Sequence, residues 1–138
     1  MEPHKITVET KVNAPIEKVW KYWTDPEHVT KWNSASPDWH CPRATNDVKN
    51  KGKFSYRMEA KDKSVGFDMD GVYTQVEKHK KIAYSMDDER KVEILFIPNE
   101  NSTRIIETFE AENTFPHEQQ QQGWQSILDN FKNHVEKN

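Results

Sequence analysis

The sequence predicts an α+β fold in one domain spanning residues 1–138: a curved antiparallel sheet of about six or seven strands wrapped around a long C-terminal helix, with two short helices after strand one. Three observations predict it. Residues 39 to 113 alternate apolar and polar with turn signals between the runs, the mark of a half-buried antiparallel meander. Helix-initiating residues follow the first strand twice in succession. The last twenty-odd residues carry Trp124, Ile127, Leu128, Phe131 and Val135 at helical spacing.

The elements follow in order. Ile6, Val8, Thr10 and Val12 share one face of an opening strand by their period of two. Pro15 then sits where a first helical turn tolerates it and Glu17 favours the positive end of the dipole. Ile16, Val19, Trp20 and Trp23 fall at i, i+3, i+4 and i+7, which makes Trp20 and Trp23 core. Asp25-Pro26 reads as an N-cap and first turn of a second short helix, with Val29 and Trp32 on one side. In the meander, "KFSYRMEA" places Phe54, Tyr56 and Met58 inward, and "VGFDMDGVYTQV" does the same for Phe67 and Met69 until Gly71 signals a bulge or kink. Ile82, Tyr84 and Met86 continue the rule, "KVEILFI" is almost continuously apolar, and "STRIIETFEAE" alternates again. Turns are expected at Lys51-Gly52, Asp62-Lys63, Asp87-Asp88 and Pro98-Asn99. The closing helix opens at Pro116, but its first turns carry His117, Gln120, Gln121 and Gly123 where the apolar face would continue. Either that stretch projects into solvent, or it leaves room beside the sheet.

Composition bounds the function. Five tryptophans, four tyrosines and six phenylalanines supply the core, each buried ring worth about 1.5 to 3 kcal/mol. Twenty basic and 23 acidic residues give a net charge of −3 with the signs interspersed, so no basic stripe suits nucleic acid. Cys41 is the only cysteine, which excludes an internal disulfide and favours a reducing compartment. With no signal-like or membrane-length apolar run, a cytoplasmic location without membrane insertion is expected, and Asn101-Ser102-Thr103 is a chance glycosylation triplet.

Chemistry-bearing motifs are sparse. His40 and Cys41 are strand neighbours and point to opposite faces, and the six histidines lack ligand spacing, so no metal is expected. No nucleophile elbow or phosphate-cradling loop is present, so no catalytic residue or cofactor is expected. Asp68 and Asp70 share a strand face, but Phe67 and Met69 claim the dry side, which turns the aspartates to water. Glu107 differs: it alternates in phase with Thr103, Ile105 and Phe109, which directs its carboxylate inward, where it must be paired, hydrogen-bonded or protonated.

If the space between sheet and helix is a cavity, its apolar walls are Tyr56, Met58, Phe67, Met69, Tyr84 and Met86. Trp32 and Trp39 flank "NSASPD", a turn-rich segment suited to act as a lid over an opening near the two short helices. Trp32, of the first three tryptophans, is expected to meet a ligand. Trp124, Gln121 and Glu107, with Tyr84, complete the candidate site, the polar members orienting the bound molecule.

The segment "APIEKVWKYWTDPEHVTKW", with Asp47, Gly52-Lys53-Phe54, Gly71 and Gly123-Trp124 in the same order, resembles the activator of heat-shock protein 90 ATPase homologue 1-like family across almost the whole chain. Two departures stand out: Lys51 replaces the first glycine of the family's usual pair, and Asn33 occupies a position where many members have a second tryptophan. The resemblance implies the helix-grip fold of the START-like, Bet v 1-like (SRPBCC) superfamily, whose members often hold hydrophobic small molecules. It therefore implies a small hydrophobic or amphipathic ligand, lipids included, held by a monomer or weak dimer. It also brings the alternatives of a chaperone partner in stress response, or a cyclase- or hydrolase-type enzyme in the same pocket, non-catalytic binding being the favoured reading. These 138 residues leave no room for the further N-terminal domain of the full activators, so ATPase stimulation is not expected.

Overall fold

The computed structural model describes residues 4–34 and 36–138. Strand β1 (Lys5–Val12) leads into α1 (Ile16–Thr24) and α2 (Pro26–Trp32). Strands β2 (Trp39–Asn46), β3 (Lys53–Ala60), β4 (Gly66–Glu77), β5 (Lys81–Met86), β6 (Lys91–Asn99) and β7 (Ser102–Glu110) follow, and α3 (His117–Lys137) closes the chain. The strands form a seven-stranded antiparallel sheet in the order β1-β7-β6-β5-β4-β3-β2.

The inward faces are those the alternation predicts. Ile6, Val8 and Val12 of β1 are buried, as are Phe54, Tyr56 and Met58 of β3 and Thr103, Ile105, Glu107 and Phe109 of β7. In β6 only Val92, Ile94 and Phe96 point inward, while Ile97 lies on the outer face, so the continuous apolar run is an ordinary two-sided strand. Asp25 caps α2 as expected, its Oδ1 accepting from the Glu27 N–H at 3.0 Å.

Two local expectations are corrected, and the expected turn at Lys51-Gly52 is present. Gly71 marks no bulge: it sits under the Phe54 ring, where a Cβ would fall 2.4 Å from Cε2 and Cζ, and the register shift in the β4–β5 ladder comes later, between Tyr73 and Gln75. Pro98 and Asn99 are the last residues of β6, and the turn is made by Glu100, in the left-handed region at φ 57°, and Asn101. Lys51 also takes a left-handed φ, 71°, a conformation that costs a non-glycine residue about 1 kcal/mol and explains what a glycine would relieve there.

Helix α3 packs along the β1 edge of the sheet rather than across its middle. Its flank is polar. Gln121 and Gln125 donate their side-chain amides to the Thr7 and Glu9 carbonyls, Lys132 donates to the Lys11 carbonyl at 2.7 Å, and Glu136 accepts from the Asn13 N–H at 2.8 Å. Of the glutamine run, Gln121 is tied to the sheet edge and Gln120 to the entry loop, while Gln119 and Gln122 are exposed, so the stretch neither projects wholly into solvent nor lies wholly beside the sheet. At the far end α1 and α2 close the trough. Trp23 and Trp32 pack on each other at 5.0 Å and both meet Phe131 of α3 edge-on, at 4.8 and 4.9 Å, while Trp20 meets Phe96. Asn46 at the end of β2 donates to the Thr24 carbonyl and Asn130 of α3 to that of Ser34, which pins the helix pair on both sides.

Gly123 lies on the flank of α3 turned away from β1, about 160° around the helix from Gln121 at 100° per residue. A Cβ there would meet no atom within 4 Å. Gly123→Ala is therefore expected to raise stability by about 1 kcal/mol, the mid-helix propensity difference, with no steric cost. Chemical denaturation checks it, and a loss of stability would show that the flank is not open.

Candidate functional site

Because α3 hugs one edge, the concave face over β3, β4 and β5 is left uncovered, and a cavity of about 520 Å³ lies between sheet and helix. The mouth lies at the end of the trough opposite α1. Phe67 and Phe115, both 52% exposed, stand on its rim with Trp39, Arg90 and Glu112: Trp39 and Phe67 open β2 and β4 at the end opposite α1, Arg90 lies in the β5–β6 turn, and Glu112 and Phe115 lie in the loop between β7 and α3. Trp23 and Trp32 of the two short helices line the inner end of the cavity, and Asn33, Ser36 and Trp39 carry the lining on from the end of α2. The lid expectation for "NSASPD" is only partly addressed. Asn33 is buried and Ser36 lines the cavity, whereas Ala35 lies outside the described residues.

Nine of the ten candidate residues line this one space. Tyr56 and Met58 come from β3, Phe67 and Met69 from β4, Tyr84 from β5, Glu107 from β7, Trp124 from α3, Trp39 from β2 and Trp32 from α2. Gln121 does not. It is exposed and bonded to β1, and its neighbour Gln120 holds the inward position one turn before Trp124. The tryptophans also divide differently from the expectation. Trp32 is 4% exposed with its indole N–H bonded to the Tyr22 carbonyl at 3.0 Å, and Trp23 reaches the cavity beside it; Trp20 alone of the three lies outside the lining.

Gln120 is spent on structure. Its Oε1 accepts from the Glu112 N–H at 2.9 Å and its Nε2 donates to the Glu112 and Phe115 carbonyls, so one side chain holds the loop that carries Phe115 on the rim. Trp124 lies flat on Phe109, rings 3.9 Å apart at 9°, and builds the α3 wall. On the opposite wall the Tyr73 hydroxyl donates to Asn46 Oδ1, and burial holds the Tyr73 pKa at about 12.

The exception in this apolar space is Glu107. It is 6% exposed, and among the described residues no group hydrogen-bonds or ion-pairs its carboxyl. Burial alone pushes its pKa up to about 8, so the group is mostly protonated at neutral pH. Tyr84, buried in the same lining, is raised as well, by burial first and then by the Glu107 charge. Arg90 at the rim is already engaged, its Nε donating to Asp88 at 2.6 Å.

The other candidates fall outside. Asp68 is exposed on the outer face, as expected, and pairs with Arg57 at 3.3 Å; Asp70 shares that face but is half-buried, its Oδ1 covered and without a partner among the described residues, so it does not turn freely to water. His40 points outward to Glu59 while Cys41 is buried, and burial raises the thiol pKa to about 11. Tyr73 and Gln120 were within reach of sequence reasoning, the first by continuing the alternation past Gly71, the second by stepping one turn back from Trp124. Arg90, Glu112 and Phe115 come from turns and loops, which carry no periodic signal.

The arrangement can hold a molecule with an apolar body and one polar group. A wall of aromatic and methionine side chains supplies adaptable contact, and Glu107 with Tyr84 can orient the polar end.

Comparison with known proteins locates this architecture. The family model for Activator of Hsp90 ATPase homolog 1-like protein matches residues 13–136. A search of curated proteins gives no match. Among solved structures, the solution structure of an AHSA1-like protein from Aeromonas hydrophila is 43% identical, covers 97% of this chain and 93% of its own, and superposes with a TM-score of 0.91. A protein from Cytophaga hutchinsonii is 52% identical over 96% of this chain and 92% of its own, with a TM-score of 0.84. A Chromobacterium violaceum protein, 22% identical with a TM-score of 0.85 over 97% of this chain and 99% of its own, shares the fold.

Proposed function

This chain belongs to the Activator of Hsp90 ATPase homolog 1-like family, and from that premise we propose that it is a non-catalytic binder of a small hydrophobic or amphipathic molecule, working in the cytoplasm. The single observation that carries the reading is the 520 Å³ cavity, left open because α3 packs on the β1 edge and provided with a mouth at the end away from α1. A volume of this size lies in the range of small-molecule sites, about 300 to 1,000 Å³. The proposed binding residues are Trp39, Tyr56, Met58, Phe67, Met69, Tyr84, Glu107 and Trp124, with Trp32 as floor. Among the described residues no helix is long and apolar enough to cross a membrane.

The experiment is a screen of apolar compounds by chemical-shift perturbation, read on the tryptophan indoles. A bound compound is expected to move Trp39 and Trp124, which line the cavity, and to leave Trp20, which does not. Shifts spread equally over Trp20, or none from any lipid, flavonoid or quinone, would sink the reading.

A chaperone-interacting role is the second reading, favoured by the family's name alone. Co-purification with a heat-shock protein 90 chaperone supports it, and a null pull-down removes it.

A further inference from the structure

We propose that the molecule this cavity accepts is a cation, a protonated amine on an apolar body, whose ammonium docks on Glu107. The inference rests on the binding reading above and names the ligand class for it.

Three observations carry it. Glu107 lines the cavity while 6% exposed, and no group among the described residues hydrogen-bonds or ion-pairs its carboxyl, which leaves the carboxyl to be answered by whatever the cavity holds. The groups around it supply none: Val8 and Ile94 flank it on β1 and β6, α3 presents Gln120, Trp124 and Ile127, and β5 presents the Tyr84 hydroxyl. Secondly, the charge of the lining is one-sided. Arg90 is its one cation among the described residues and is bound to Asp88 at 2.6 Å, whereas Glu112 adds a second acid at the rim. A fatty acid or other organic anion would enter a space that already holds two carboxyls and one engaged guanidinium; an ammonium finds there the counter-charge it needs. Thirdly, rings of Trp39, Phe67, Tyr56, Tyr84 and Trp124 border the path from rim to Glu107, and aromatic faces attract a cation that has lost part of its water.

Docking an ammonium requires the ionised carboxylate. Since burial keeps Glu107 protonated up to about pH 8, each amine bound below that pH sends one proton to solvent. Affinity for the amine then rises about tenfold per pH unit and levels off above about 8. A neutral ligand that accepts a hydrogen bond from the protonated acid gives the opposite trend.

The test titrates the full chain with phenylbutylamine, phenylbutanol and phenylbutyrate, read on the Trp39 and Trp124 indoles and by calorimetry. Expected results are binding of the amine at least tenfold tighter than the alcohol at pH 8, the carboxylate weakest, and amine affinity about tenfold lower at pH 6 than at pH 7. Glu107→Gln is expected to lower the amine-to-alcohol preference at least tenfold, and Glu107→Asp, which keeps the charge, to retain it. Alcohol binding as tight as amine binding, a flat pH profile for the amine, or a preference unchanged in Glu107→Gln overturns the cation assignment and leaves the cavity reading standing. Failure of all three compounds to move either indole overturns both.

Discussion

Replacing Glu107 with glutamine is expected to stabilise the protein, and by far more at pH 8 than at pH 5. In the native state burial holds the carboxyl near 8, whereas in the unfolded chain it titrates near its ordinary 4.5. Below about pH 4.5 both states are protonated and the group costs nothing. Between there and about 8 the unfolded chain releases a proton that the native state keeps, so stability falls by about 1.4 kcal/mol per pH unit. By pH 8 the loss amounts to about 3 to 5 kcal/mol, an amount comparable with the whole stability of many domains. Glutamine has the same shape and does not titrate. Denaturation of wild type and Glu107→Gln at the two pH values checks it: the gap between them should open as pH rises, and a gap independent of pH would mean that the carboxyl is solvated or paired in the native state. A side chain that weakens its own fold near neutral pH points to use, since a glutamine there would fill the same space without the cost.

The second large effect is expected from Phe131→Ala, at about 3 to 5 kcal/mol of destabilisation. Phe131 is fully buried and is the contact through which α3 meets both Trp23 and Trp32. Its loss leaves two indoles without the ring they pack on and separates the floor of the cavity from the helix. Urea denaturation measures the cost. A change below 1 kcal/mol would show that the tryptophan pair holds the floor unaided.

How much of this could be read from the sequence follows from where periodicity exists. Strand alternation fixes the side on which a residue points, and Tyr56, Met58, Tyr84 and Glu107 lie on the inward side of the sheet that it predicts. It does not fix depth. Phe67 obeys the alternation and still ends half-exposed, because it stands on the rim of the cavity at the start of β4. The helix gave its phase only where it is apolar: from Trp124 onward the face is unambiguous, but in "QQQQ" identical side chains carry no phase, and Gln121 was chosen where Gln120 points inward. That the rim runs to Phe67, Arg90 and Phe115 was not legible. It depends on α1 and α2 folding over the ends of β2, β6 and β7, a tertiary choice made through Phe96, Phe131 and the Asn46 and Asn130 hydrogen bonds, none of which a local pattern announces.

The hydrogen bonds from α3 to β1 have a further consequence. A border strand exposes a row of unpaired carbonyls and amides that another polypeptide can adopt as a template, the usual route to edge-on aggregation. On β1 the Thr7, Glu9 and Lys11 carbonyls are already occupied by Gln121, Gln125 and Lys132. On the opposite border, β2 carries Pro42, which has no amide to offer, inside the register shift between His40 and Arg43. Both margins thus carry features that oppose strand addition: side chains on the β1 carbonyls, and a missing amide and a register shift on β2.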